Sequence, residues 1–299
     1  MQKNEQRPIL IIQTAFIGDT ILASRFIHQV SEAYPGAAIH VVVRKGNESV
    51  IEGLTFVHKV WIWHKKKGLQ KHLELFRLIK ELRKQHFHIS FNLQRYFSTG
   101  WMSLWLKSDF KVGFKQNPLS WFFSHAVNHQ IPHVVSGQAW HEVQRNFQLL
   151  QKVKPLIPWV QDPKKWPPLL PSYQISQKLM SYIQASDDRP YIVIAPASVW
   201  FTKQWPVEAF AELTQRLEKK FRVYLIGGPD DVSLCDKVKG QTAAINLAGK
   251  CSLLESAELM RKAHRVVVND SGPLHLASAV GAPTTAIFCA TIPEFGYGP

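Results

Sequence analysis

Near the C-terminal end, the run Asn269-Asp270-Ser271-Gly272-Pro273-Leu274-His275 sets a carboxylate, a hydroxyl and a glycine directly before a helical pattern. Gly272 permits close backbone approach and Pro273 suits a first helical turn, so the N–H groups and dipole of that helix can hold a diphosphate. Simple capping of the helix by Asp270 or Ser271 is the competing reading. A second run, Pro196-Ala197-Ser198-Val199-Trp200-Phe201-Thr202-Lys203-Gln204-Trp205-Pro206, carries hydroxyls at Ser198 and Thr202 and one cation, Lys203. Beside a diphosphate, that ammonium offsets the charge that grows on a leaving group; read alone, it is equally a solvated surface lysine. Gly227-Gly228-Pro229-Asp230-Asp231 offers carboxylates for ribose hydroxyls, and by itself reads as a turn at a strand end.

Two further candidates lie in the first half. Asp19 follows Gly18 at the start of a helix, where a carboxylate can accept a proton from an attacking hydroxyl or simply stabilise the helix terminus; both roles are compatible. Val60-Trp61-Ile62-Trp63-His64-Lys65-Lys66-Lys67 mixes aromatics with cations and suits phosphates or anionic headgroups, although a lysine run is commonly a solvated turn. No GxGxxG follows the first strand and no GxxxxGK[ST] occurs, so dinucleotide dehydrogenases and P-loop enzymes lose their main support. His141-Glu142 begins like a zinc helix but position 145 is Arg, and no metal site is expected.

These residues need strands to deliver them. Pro8 to Thr14 is an apolar run of strand length, followed by a glycine-containing loop and a helical pattern through Ile21, Leu22, Phe26, Ile27 and Val30; Ile39 to Val43 supplies the next strand of a βαβ unit. Helical spacing recurs over 69–83 and 141–153, with a strand at 89–93. Prolines crowd 155–190 and mark a linker, with a helix expected within 172–184. The α/β rhythm then restarts, with strands expected at 191–195, 221–226, 265–268 and 284–288 and helices at 206–220 and 274–280. The expectation is two doubly wound domains, 1–170 and 171–299, facing a central cleft, with ligands at the carboxyl ends of the strands.

The 299 residues hold 45% apolar and 19% charged side chains, which excludes disordered and collagen-like chains and predicts folded domains. Three cysteines without a CxxC pair favour a reducing, cytoplasmic compartment, and no apolar run is long enough for a signal segment or a span. The net charge is +14, and it is lopsided: 23 basic and 10 acidic residues precede Pro171, whereas 13 and 12 follow. An anionic partner for the first half is expected, either nucleic acid or a phosphorylated lipid at a membrane surface. No recognised nucleic-acid-binding motif organises the charge, so nucleic acid is not the expected partner.

Several of these runs, in order, resemble the ADP-heptose:lipopolysaccharide heptosyltransferases of glycosyltransferase family 9. The resemblance rests on Phe16-Ile17-Gly18-Asp19, His141-Glu142-Val143-Gln144-Arg145, Thr202-Lys203-Gln204-Trp205-Pro206, Gly227-Gly228-Pro229, Asn246-Leu247-Ala248-Gly249-Lys250 and Asn269 to Ala277, the last being the most specific. It implies a GT-B fold of two Rossmann-like domains, the first for the acceptor and the second for the nucleotide sugar. It further implies an inverting, metal-independent transfer of heptose from ADP-heptose to a phosphorylated lipid A and inner-core acceptor, with no cofactor. By the same resemblance Asp19 matches the general base, and Ser198, Thr202, Lys203 and Asp270 to His275, including Ser271 and Gly272, match diphosphate-binding positions. Asp231 matches a ribose-binding acid and Cys251 the nucleobase pocket; His64, Lys65, Lys66, Lys67 and Arg145 match acceptor-phosphate positions. The implied location is cytoplasmic and peripheral to the inner membrane. The chain departs from the family at Pro196-Ala197-Ser198, where a glycine is usual, and at Phe288-Cys289-Ala290-Thr291, where Phe-Gly-Pro-Thr is usual. Relatives continue past the position of Pro299 into closing helices, so a shortened chain is expected. A related transferase for another nucleotide sugar, and a noncatalytic donor-binding relative, are the alternatives.

Overall fold

Strand β1 (Ile9–Ile12) is apolar and fully buried at every position, the pattern of a parallel strand covered on both faces. It belongs to the first of two compact units, Met1–Pro167 and Pro168–Pro299, into which the chain divides. The computed structural model describes residues 7–66, 68–129, 140–157, 170–183 and 189–298.

In the first unit β1 is followed by α1 (Ile17–Ala33), β2 (Ile39–Arg44), α2 (Glu48–Glu52), β3 (Lys59–Trp63), α3 (Leu69–Leu82), β4 (Phe87–Asn92), α4 (Phe97–Trp105), β5 (Ser108–Phe114), β6 (His125–Val127) and α5 (Glu142–Val153). The strands form one parallel sheet in the order β3-β2-β1-β4-β5-β6, with Ile9 level with Ile39 on one side and Ile89 on the other. Alternate strand residues Leu10, Ile12, Val42 and Phe87 pack under Leu75, Leu78 and Leu82 of α3 and Met102 of α4. α1 and α5 pack against each other, and Phe26 of α1 meets Phe91 of β4 edge to face at 5.2 Å. Chain direction across the sheet reverses between β1 and β4, so the loops leaving those two strands diverge and leave room for a ligand.

The second unit contains α6 (Gln177–Ile183), β7 (Tyr191–Ala195), α7 (Val207–Leu217), β8 (Arg222–Leu225), α8 (Val232–Lys239), β9 (Ile245–Asn246), α9 (Leu253–Arg261), β10 (Arg265–Asn269), α10 (Gly272–Ala279) and β11 (Thr284–Ile287). Its parallel sheet runs β11-β10-β7-β8-β9, with the reversal between β10 and β7. Ile192, Ile194, Val223 and Leu225 form its core with Phe210 of α7 and Cys235 and Val238 of α8. Two parallel sheets, each flanked by helices, make an α/β protein, as the apolar runs predict.

Some elements differ from expectation. Residues 60–63 fall within β3, and Trp63 is fully buried in the first unit's core, so that part of the aromatic and basic run is packing. α4 and β5 occupy a stretch in which the sequence signals no element. Among the described residues no helix is long and apolar enough to cross a membrane.

Candidate active site

In the second unit the loops after β7 and β10 leave adjacent strands at the point of reversal, and side chains tie them together. Asn269 donates its amide N–H to the Pro196 carbonyl at 2.7 Å and accepts from the Trp205 backbone N–H at 3.1 Å. Gln204 donates to the Ser198 carbonyl at 2.7 Å, which folds the loop back on itself. This bracing carries Lys203 to Asp270: the ammonium lies 2.6 Å from Asp270 Oδ2, and the Thr291 hydroxyl donates to the same oxygen at 2.7 Å. Asp270 is buried and Lys203 half-buried, so the pair is formed where solvent screens it weakly.

α10 begins just beyond. Ser271 takes extended backbone at the N-cap, and neither it nor another side chain caps the helix; its hydroxyl points back to the Asn269 carbonyl at 3.3 Å. The helix therefore presents its first amide groups and the positive end of its dipole beside Lys203, with no acidic residue in the first turn. Of the two readings open for this loop, helix capping is not what the side chains do. His275 is buried within α10, one turn into the helix. Ser198 is half-buried and Thr202 exposed on the facing loop.

Asp231 and Cys251 lie on the loops after β8 and β9, at the same carboxyl edge of the sheet. Asp231 Oδ2 accepts from the Gly228 N–H at 2.8 Å and closes a turn. Gly227 leaves no room for a side chain there, since a Cβ would stand 2.7 Å from that of Asp231. Gly249, at φ +70°, brings its backbone against Pro229 and joins the two loops. Burial, with Glu255 nearby, pushes the Cys251 thiol up to about 12, so it is a neutral packing group.

In the first unit Asp19 is the third residue of α1, in its first turn. Burial first, and the Glu142 carboxylate second, push its carboxyl up from 3.8 to about 6, against backbone N–H groups of Asp19 and Phe16 and the cation Arg95. Glu142 stays ionised. Burial alone would raise it, but His129 at 3.1 Å and Arg145 at 2.9 Å hold it below the usual carboxylate range. Arg145 is 1% exposed, so its guanidinium faces Glu142 inside the protein and does not stand at a surface.

A cavity of about 660 Å³ opens at the carboxyl edge of this sheet, walled by Thr14, Ala15 and Phe16, by Arg44, Lys65, Lys71 and His72, and by aromatic residues including Phe76 of α3, Trp101 of α4 and Tyr96 just before α4. Lys65 reaches into it, donating to the Thr14 carbonyl at 2.6 Å above the Trp63 ring. Burial, then Arg44 and Lys71, lower its ammonium to about 8. His64 and Lys66 are exposed beside the opening, and Lys67 lies outside the described residues. The structure thus gathers Lys203 with Asp270, Ser271 and Gly272 in one unit; in the other, Asp19 follows the Thr14 to Phe16 loop that walls the Lys65 cavity. Arg95, Arg44, Lys71 and His72 are not signalled by the sequence, and Glu142 and Thr291 stand there only inside motifs, without a role of their own. Arg95 was findable as the cation just after a strand end beside β1; Thr291 sits in the departing Phe-Cys-Ala-Thr run.

A nucleotide diphosphate fits the chemistry of the second unit, and an anionic, partly apolar group fits the first. The sequence model of glycosyltransferase family 9 (heptosyltransferase) matches residues 75–298. The chain is 24% identical to lipooligosaccharide heptosyltransferase 2 of Haemophilus ducreyi, over 96% of its own length and 84% of that protein's. A glycosyl transferase family 9 structure from Veillonella parvula superposes with a TM-score of 0.82 at 21% identity, over 100% of this chain and 84% of that one. The Escherichia coli heptosyltransferase WaaC with ADP gives 0.74 at 20% identity, over 98% and 90%. The two-sheet architecture is that of these GT-B structures.

Proposed function

The chain belongs to glycosyltransferase family 9, the heptosyltransferases, and from that premise we propose that it transfers a heptose from ADP-heptose to a hydroxyl of a phosphorylated lipopolysaccharide inner core, with inversion and without a metal. The second unit takes the donor. Lys203 and the α10 amide groups near Ser271 and Gly272 bind the diphosphate; Ser198 and Thr202 line its approach, His275 supports α10, Asp231 serves the ribose and Cys251 the base. The first unit takes the acceptor, whose phosphates meet Lys65, Arg44, Lys71 and His72, with His64, Lys66 and Lys67 alongside. Arg145 acts indirectly, by holding Glu142.

The acceptor oxygen attacks the anomeric carbon from the face opposite the diphosphate. Its C–O bond forms as the bond from the anomeric carbon to the phosphate oxygen breaks. ADP leaves with the electron pair, and the acceptor proton passes to Asp19. The charge gathering on ADP is met by the Lys203 ammonium and the helix terminus, contributions that typically run on the order of 10² to 10⁴ in rate.

One observation carries the reading. Among the described carboxyls with a displaced pKa, Asp19 is the one displaced upward, to about 6, so it is a stronger base than an ordinary carboxylate and still ionised at neutral pH. Calorimetry with ADP, UDP and GDP, followed by product analysis with ADP-heptose and a phosphorylated core oligosaccharide, is the test. Tighter binding of ADP and a heptosylated product are expected. Preference for UDP or GDP would move the chain to another donor, and ADP-heptose binding without product would make it a noncatalytic donor-binding protein.

A further inference from the structure

Asn47 occupies the N-cap of α2, yet its side chain caps nothing there. It is 5% exposed, and its amide reaches across to the loop after β1, donating to the Ala15 carbonyl at 3.1 Å and to the Thr20 hydroxyl at 2.8 Å. A carbonyl only accepts, so the nitrogen of the carboxamide is the atom that faces Ala15. The buried Thr20 hydroxyl donates in turn to the Phe16 carbonyl at 3.3 Å, which also accepts the Thr20 N–H at 3.2 Å. On the other side the Gln13 side-chain oxygen accepts the Ala15 N–H at 3.2 Å and the Gln94 amide at 2.5 Å. Two carboxamides thus hold Ala15, one at each of its backbone polar groups.

The corner that delivers Asn47 is itself fixed. Gly46 takes φ +99°, a conformation that side chains rarely adopt, and its N–H donates to the Glu48 carboxylate at 2.6 Å. The Lys45 ammonium meets the other Glu48 oxygen at 2.6 Å, and the Lys45 N–H donates to the Trp63 carbonyl at 3.0 Å. Such a corner transmits position rather than absorbing it.

What it positions is the peptide between Ala15 and Phe16. Asn47 grips the carbonyl end, and the Phe16 N–H at the other end donates to the Asp19 carboxylate. A peptide unit is planar, so fixing the direction of its C=O fixes that of its N–H. Donation to the carbonyl also polarises the unit and strengthens its N–H as a donor. The other charges that bear on Asp19 are Glu142 of α5 and Arg95 after β4, and Asn47 bonds to neither.

We propose that Asn47 is a positioning residue for Asp19, holding the Ala15–Phe16 peptide and Thr20 so that the Phe16 N–H stays on the carboxylate. The step from that carboxylate to a base rests on the transferase reading above; the hold on the carboxylate does not.

The test pairs an NMR titration of the Asp19 carboxyl carbon, in the substrate-free chain, with the pH profile of turnover. In Asn47→Ala the peptide can rotate and the ionised carboxyl loses a donor, so its midpoint is expected above the native value of about 6. The acid limb of kcat rises with it. At neutral pH kcat falls about tenfold to a hundredfold, the usual cost of a slightly misplaced catalytic group, while acceptor KM and ADP Kd are unchanged. Thr20→Val acts in the same direction, and Thr20→Ser, which keeps the hydroxyl, retains the native profile. Should Asn47→Ala not melt cooperatively, the two threonine variants carry the test. A lowered rate with an unshifted midpoint would make Asn47 only a fold-stabilising residue and overturn the assignment, as would a native midpoint and rate. Native turnover in Asp19→Asn, beside a raised midpoint in Asn47→Ala, would keep the hold on the carboxylate and overturn the base reading instead.

Discussion

Asp19→Asn separates two consequences of one carboxyl. As a base, Asp19 must be ionised, so turnover is expected to fall about tenfold per pH unit below about 6. The asparagine variant keeps ADP binding and loses transfer by a factor on the order of 10² to 10⁴. Stability moves the other way. A carboxyl raised in the folded state weakens the fold when it ionises. That penalty is absent below the unfolded value of 3.8, grows towards about 6, and is complete above it. Asp19→Asn should therefore melt higher than the native chain at pH 8, by about 1 kcal/mol after discounting for the part of the group that solvent reaches, and not at pH 3. Thermal melts at the two pH values check this. An unchanged rate would remove Asp19 from the mechanism.

Elements set what those residues can do, and α5 is the clearest case. It brings Glu142 to Asp19 while Arg145, one turn on, and His129 keep Glu142 ionised. Glu142→Gln removes the charge that helps hold Asp19 up, so the acid limb of the rate profile should shift to lower pH. The same change weakens the charge-assisted contacts of Glu142 with His129 and Arg145 and should cost about 1 to 3 kcal/mol in denaturant unfolding. The sequence made β1, β2, β7 and β10 and their following helices legible because each strand is a continuous apolar run ended by a glycine or a polar loop. α4 was not legible, since Ser98-Thr99-Gly100 reads as a turn. Its glycine answers a tertiary demand: Asn117 donates to the Gln94 and Tyr96 carbonyls, and a Cβ on Gly100 would stand 2.2 Å from the Asn117 amide oxygen. Gly100→Ala, favourable by helix propensity alone, is expected to destabilise by about 1 to 3 kcal/mol through overpacking. The loop after β10 was legible as a motif, but its bracing by Asn269 and Thr291 was not, because it depends on β7 and β10 lying side by side.

At the scale of the whole molecule, the charge is divided between the units as the counts before and after Pro171 predict. On the proposed reading, binding of a phosphorylated acceptor to the first unit should weaken steeply with ionic strength, while ADP affinity, which that reading assigns to a half-buried lysine and a helix terminus, should change little. Acceptor KM and ADP Kd measured across a salt series separate the two. On the proposed donor reading, the pairing of half-buried Lys203 with buried Asp270 should also disfavour a ubiquitous small ion. The ammonium is matched by a carboxylate as folded, so inorganic phosphate must break a shielded pair for little in return. A nucleoside diphosphate compensates with its second phosphoryl group, its sugar and its base. Millimolar orthophosphate should therefore leave turnover nearly untouched, and the protein can work in a phosphate-rich medium without being poisoned by it.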